Sequence, residues 1–121
     1  MKYSIGQFAD ITNISSYTLR YYEKEQLLVV SRDLAGRRFY TPQDVDWILF
    51  IQKLKETGMS IKEIREYSLL RYQGDSTTQQ RLEILEKHKV AVVKEKEKWE
   101  NNLQNLNEKI KFYKDKLNNE S

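Results

Sequence analysis

Residues 15–23 read Ser-Ser-Tyr-Thr-Leu-Arg-Tyr-Tyr-Glu, and they gather a hydroxyl, a guanidinium and a phenol within about one helical turn. Thr18, Arg20 and Tyr21 are groups that bond phosphate oxygens and base edges. Leu19 and Tyr22 lie one turn apart and can face a core. Ser15 can accept a backbone hydrogen bond and start the helix. A surface helix needed only for solubility would more often carry Glu and Lys there. The pattern predicts a helix that enters a DNA groove, with Tyr22 in the core and Tyr21 towards DNA. The competing reading makes Arg20 an ordinary exposed helix residue and both tyrosines packing.

A second basic group follows at Arg32, Arg37 and Arg38. Gly36 allows a turn with positive φ, and Arg37 to Tyr40 alternate as a short strand would. This predicts a two-stranded wing with Arg38 and Tyr40 on one face and Arg37 and Phe39 on the other. The arginine cluster suits phosphate binding. An irregular basic loop is the alternative.

Other elements must position these groups. Ser4 and Gln7 have capping-box spacing, and Ile5, Phe8, Ala9 and Thr12 share a helical face. Asn13-Ile14 makes a tight connection to the Ser15 helix, so the pair predicts a helix-turn-helix. Leu27 to Val30 can pack beneath it. Thr41-Pro42-Gln43-Asp44 starts a helix with cap, Pro and acidic residue in agreement. That helix is apolar on two sides and ends at Gly58. Ser60 restarts a helix that runs to Gly74, and Asp75 or Ser76 is expected to cap the last one.

From Leu82 the apolar residues keep a seven-residue repeat. One seam set is Leu82, Lys89, Lys96, Leu103, Ile110 and Leu117; the other is Leu85, Val92, Trp99, Leu106 and Tyr113. Two lysines interrupt an otherwise apolar seam, which predicts a coiled coil. A helix of ~40 residues is ~60 Å long. The rest of the chain cannot cover it, so pairing with a second copy is expected.

The 121 residues are 39% hydrophobic and 32% charged, with a mean hydropathy of -0.79. That is too polar for one compact core and fits a long solvated helix. No apolar run reaches the ~20 residues of a membrane span, and no secretion signal is evident. With no Cys there is no disulfide or thiolate metal site; a cytoplasmic location is expected. His88 is the single histidine, which makes neither a metal site nor a catalytic dyad. There is no Gly-rich phosphate loop or nucleophile elbow. An enzyme is therefore not expected, nor is any cofactor.

Residues Tyr3-Ser4-Ile5-Gly6, Thr18 to Glu23, Leu27-Leu28, Gly36-x-Arg38-x-Tyr40, Asp44-Val45, Phe50-Ile51-x-x-Leu54 and Thr57 to Ile61 resemble the MerR family of bacterial transcription regulators. Residues 74–83 look like its short-chain branch, which responds to aldehydes or oxidative stress. The resemblance implies a mainly α fold: a winged helix-turn-helix with linking helices over 1–74, and a dimerisation coiled-coil helix over 75–121. It implies a homodimer, paired by an antiparallel coiled coil, on a near-palindromic operator in double-stranded promoter DNA. Such a dimer bends and untwists the DNA so that RNA polymerase can engage the promoter, which is regulation by deformation. Matched by position, Arg20, Tyr21, Arg38 and Tyr40 would contact DNA, with Ser16 and Thr18 as further candidates. Arg37 stands where the family often has Tyr, and would add a phosphate contact. Lys53 stands where thiol-sensing members carry Cys, so thiol sensing is excluded here. Metal sensing, which needs Cys at the coiled-coil end, is excluded too.

Dimerisation would fall to Leu82, Leu85, Val92, Trp99, Leu103, Leu106, Ile110, Tyr113 and Leu117. Tyr67, Tyr72 and Trp99 are candidates for an effector pocket where coiled coil meets domain, although aromatics at helical spacing are usually packing. The alternative function is an architectural or excisionase-like DNA-binding protein without an effector. The long dimerisation helix favours the regulator.

Overall fold

The computed structural model describes residues 1–120. Five helices are present: α1 (Ile5–Thr12), α2 (Ser16–Lys24), α3 (Pro42–Glu56), α4 (Ile61–Gln73) and α5 (Thr78–Glu120). Strands β1 (Ser31–Arg32) and β2 (Arg38–Phe39) lie between α2 and α3. Residues 1–84 form one compact unit and the residues from 85 on form another.

Helices α1 to α4 each start where their cap chemistry places them. The Ser4 Oγ accepts the Gln7 N–H at 3.2 Å while the Gln7 Oε1 accepts the Ser4 N–H at 2.9 Å, a reciprocal box. Asn13, at φ 56, ends α1 in the left-handed conformation, which Asn tolerates because its short amide bonds locally. The Ser15 Oγ accepts the Thr18 N–H at 3.1 Å and starts α2. Thr41 and Asp44 form the box of α3, with Pro42 at its first position. Ser60 caps α4. The expected Asp75 or Ser76 cap of the last helix is absent. Gly74 at φ 101 leads instead into a short 3-10 turn (Asp75–Thr77) before α5 begins at Thr78. The Thr77 Oγ1 donates towards the Leu70 and Gly74 carbonyls at 2.6 and 2.8 Å, so a buried hydroxyl ties this turn to α4.

The core of the first unit contains Phe8, Leu19, Tyr22, Leu27, Leu28, Tyr40, Trp47, Ile48, Ile51 and Ile64. Full burial of such side chains stabilises by roughly 1.5–3 kcal/mol each. The Leu27 carbonyl is buried with them and accepts both Trp47 Nε1–H and Ser68 Oγ–H at 2.8 Å. An unmet buried carbonyl would oppose folding, so α3 and α4 are both keyed to Leu27, three residues beyond α2. Arg65 of α4 adds an ion pair to Glu25 and a bond to the Glu25 carbonyl. Of the apolar run after α2, Leu27 and Leu28 are buried, whereas Val29 is exposed.

In the second unit α5 continues as unbroken helix to Glu120, with no buried residue. At 43 residues it is about 65 Å long by its rise per residue. Leu103, Leu106, Ile110, Tyr113 and Leu117 are all exposed. No helix among the described residues is long and apolar enough to cross a membrane.

Candidate nucleic-acid interface

Helix α2 buries Leu19 and Tyr22. Its opposite face shows Tyr17, Arg20, Tyr21 and Lys24, all exposed. Their spacing is that of one helical stripe. Tyr17 is 82% exposed, a large ring left in solvent on the same helical face as Arg20 and Lys24. Thr18 and Ser16 sit half-buried at the helix start. The Thr18 hydroxyl accepts a bond from Ser15 Oγ at 2.9 Å and keeps its own proton to donate. Tyr22 is held from below: Gln52 Nε2 and Lys55 Nζ each donate to its hydroxyl at 3.0 Å.

The wing is antiparallel, with Ser31 opposite Phe39 and Arg32 opposite Arg38. Its turn is closed by Gly36 at φ 78 and by the Asp33 carboxylate, whose Oδ1 accepts the Ala35 and Arg37 N–H groups at 2.9 Å. Those bonds, the Arg37 N–H first among them, hold the Asp33 carboxyl below its ordinary range, because they favour its charged form. Tyr3 and Tyr40 exchange backbone bonds of 2.7 and 2.8 Å, so the N-terminal segment flanks the wing. Lys2 lies 4.4 Å over the Phe39 ring, a cation–π contact that adds another cation to this edge.

Three expected wing contacts have three different placements. Arg37 is open: its side chain is 80% exposed and meets Asp33 at 3.3 Å. Arg38 is 27% exposed and gives its Nε to Glu23 Oε1 at 3.0 Å. Tyr40 is not at the surface. It is fully buried and stacked on Phe8, with ring centroids 4.3 Å apart. Its hydroxyl is enclosed without a partner, and burial pushes its pKa up. The alternation that groups Arg38 with Tyr40 holds, but that face turns inward to α1 and α2. Tyr40, expected at the DNA, lies in the core of this structure.

The other candidates are equally varied. Tyr67 is packed against Trp47 at 5.8 Å and buried. Tyr72 is partly exposed and its hydroxyl accepts the Val29 N–H at 3.1 Å. Trp99 belongs to the second unit and is 66% exposed. Lys53 pairs with Glu56 at 3.4 Å and lines an open groove of about 610 Å³ with Thr18, Tyr22, Gln52 and Lys55. Among the described residues no cluster of His, Cys, Asp and Glu could hold a metal. Sequence reasoning missed Tyr17, Lys24 and Lys2. The first two were findable, since they continue the Arg20–Tyr21 stripe at i−3 and i+4. Lys2 was not, because only the Tyr3–Tyr40 pairing brings it to the wing.

With this geometry in hand, the chain compares closely with known proteins. The family described as "MerR HTH family regulatory protein" matches residues 3–69, and "MerR, DNA binding" matches residues 45–111. The HTH-type transcriptional regulator YyaN of Bacillus subtilis (strain 168) is 56% identical over 66 residues, covering 54% of this chain and 48% of the relative. An HTH-type transcriptional regulator of Haemophilus influenzae is 42% identical over 87 residues, covering 71% and 64%. The chain thus spans about half to two thirds of these curated relatives. Among solved structures, HiNmlR, described as a MerR family regulator lacking the sensor domain and bound to promoter DNA, superposes with a TM-score of 0.82. It is 37% identical, over 94% of this chain and 91% of the other.

Proposed function

The chain belongs to the MerR family of helix-turn-helix regulatory proteins, and on that premise we propose that it regulates transcription as a homodimer bound to promoter DNA. Residues 1–74 bind the duplex and residues 75–121 pair two copies. The observation that carries this reading is the exposed stripe of Tyr17, Arg20, Tyr21 and Lys24 on α2, together with the exposed Arg37 of the wing. Helix α2 enters the major groove, with Ser16 and Thr18 near phosphate and Arg20 and Tyr21 towards base edges. Arg37 and Arg38 fix the wing on the backbone. The solved relative described as bound to promoter DNA supports this polarity of function.

The seam of α5 pairs antiparallel with that of a second copy and presents two heads to a near-palindromic operator. Bending a site of 20–30 base pairs costs on the order of 1–6 kcal/mol, which the paired contacts offset. The distorted promoter is then read by RNA polymerase in the cytoplasm. The 121 residues hold no Cys, so no effector acts through a thiol of these residues.

Gel-shift titration on an operator tests the reading. Arg20→Ala should weaken binding by about 1–3 kcal/mol, roughly fivefold to over a hundredfold, while sedimentation still gives the dimer. Unchanged affinity would overturn it, and equal binding to every duplex would return the architectural alternative.

A further inference from the structure

Glu23 is a carboxylate set among the cations of the proposed DNA face, and nothing in that reading uses it. It stands on α2 one turn after Arg20. Its side chain is 24% exposed, and its Oε1 accepts Arg38 Nε–H at 3.0 Å and lies 3.6 Å from Arg32 Nη2. Arg32 and Arg38 face one another across the two strands. One carboxylate on α2 therefore holds both strands of the wing.

A free carboxylate at this place would repel phosphate. Held at Nε, however, Arg38 keeps both of its terminal nitrogens, since a guanidinium carries five N–H donors in a rigid fork. The wing also needs an anchor. Each strand is two residues long, and an isolated two-stranded ribbon is marginal in water. The Tyr3–Tyr40 pairing and the Tyr40–Phe8 stack secure its base. Towards α2, ion pairs to Glu23 hold it.

We propose that Glu23 is a positioning residue for DNA recognition: it acts through Arg38, and secondarily Arg32, to fix the wing cations at a set distance from α2. The unit then accepts a duplex whose groove and backbone match that distance, so Glu23 contributes selectivity rather than attraction. This rests on the proposed reading of α2 and the wing as the DNA interface.

The test uses the full chain carrying Glu23→Ala, Glu23→Gln, Arg38→Ala and the double variants. Affinity is measured for a selected operator and for a random duplex of equal length, with thermal melts alongside. Glu23→Ala should weaken operator binding roughly tenfold, the size of one lost charge-assisted hydrogen bond, and leave random binding equal or tighter. Glu23→Gln, whose amide oxygen can still accept from Arg38, should recover most of the loss. With Arg38→Ala present, Glu23→Ala should add less than about twofold, as expected for residues acting as a pair. Two results overturn the proposal: tightening of both affinities by the same factor, or an undiminished tenfold effect in the Arg38→Ala background. If Glu23→Ala melts below the assay temperature, Glu23→Gln decides: operator affinity near that of the unsubstituted chain is expected, and a roughly tenfold or greater loss would overturn the proposal. Failure of Arg20→Ala to weaken binding would instead remove the interface reading and leave the Glu23 result without bearing on it.

Discussion

At the residue scale, Tyr40 separates a motif match from a physical contact. Its place in the Arg-x-Tyr pattern suggests a DNA phenol, yet its ring stacks on Phe8 and its enclosed hydroxyl has no partner. A buried hydroxyl without a bond opposes folding. Tyr40→Phe should therefore leave operator affinity unchanged and stabilise the unit by about 1 kcal/mol in denaturant titration; a large loss of affinity would put Tyr40 at the DNA. Asp33 makes a pH prediction of opposite sign to an ordinary buried acid. Its folded pKa lies below the ordinary 3.8, so the turn is fully supported above that value and loses support as pH falls through the lowered one. Titration followed by NMR should show the Ala35 and Arg37 amides shifting with a midpoint below 3.8. A midpoint at or above it would count against the turn geometry.

At the element scale, legibility followed local chemistry. Starts of α1, α2, α3 and α4 could be read from Ser4, Ser15, Thr41 and Ser60, because a cap is a contact within three residues. Leu19 and Tyr22 were readable as core from their spacing. The start of α5 was not, because Thr77 finds its acceptors at Leu70 and Gly74. Nor could sequence alone show which side of the wing faces inward. Alternation sets two faces apart, but only packing on Phe8 and Glu23 chooses between them. For α5 the repeat makes a further prediction. Leu103 and Leu106 are 57% and 58% exposed in a single copy, so charges there leave the isolated helix little changed. Leu103→Asp with Leu106→Asp should convert the proposed dimer to monomer in sedimentation while the first unit melts as before. An unchanged dimer would place the pairing surface elsewhere.

At the scale of the whole molecule, labour is divided between a compact unit with an exposed polar stripe and a helix with an uncovered apolar seam. Neither feature stabilises a lone copy in water, and each suits a partner: duplex for the first, a second chain for the second. Under the proposed pairing, recognition is two-fold. Two identical heads, if joined through α5 as proposed, read two copies of one sequence in opposite senses, and each phosphate contact adds to the salt dependence. The most direct measurement is selection of bound duplexes from a random pool by the purified full chain. The account predicts one inverted repeat among the recovered sequences, lost when Arg20 is replaced by Ala. Recovery of single, unrepeated sites or of sequences without any shared motif would contradict it.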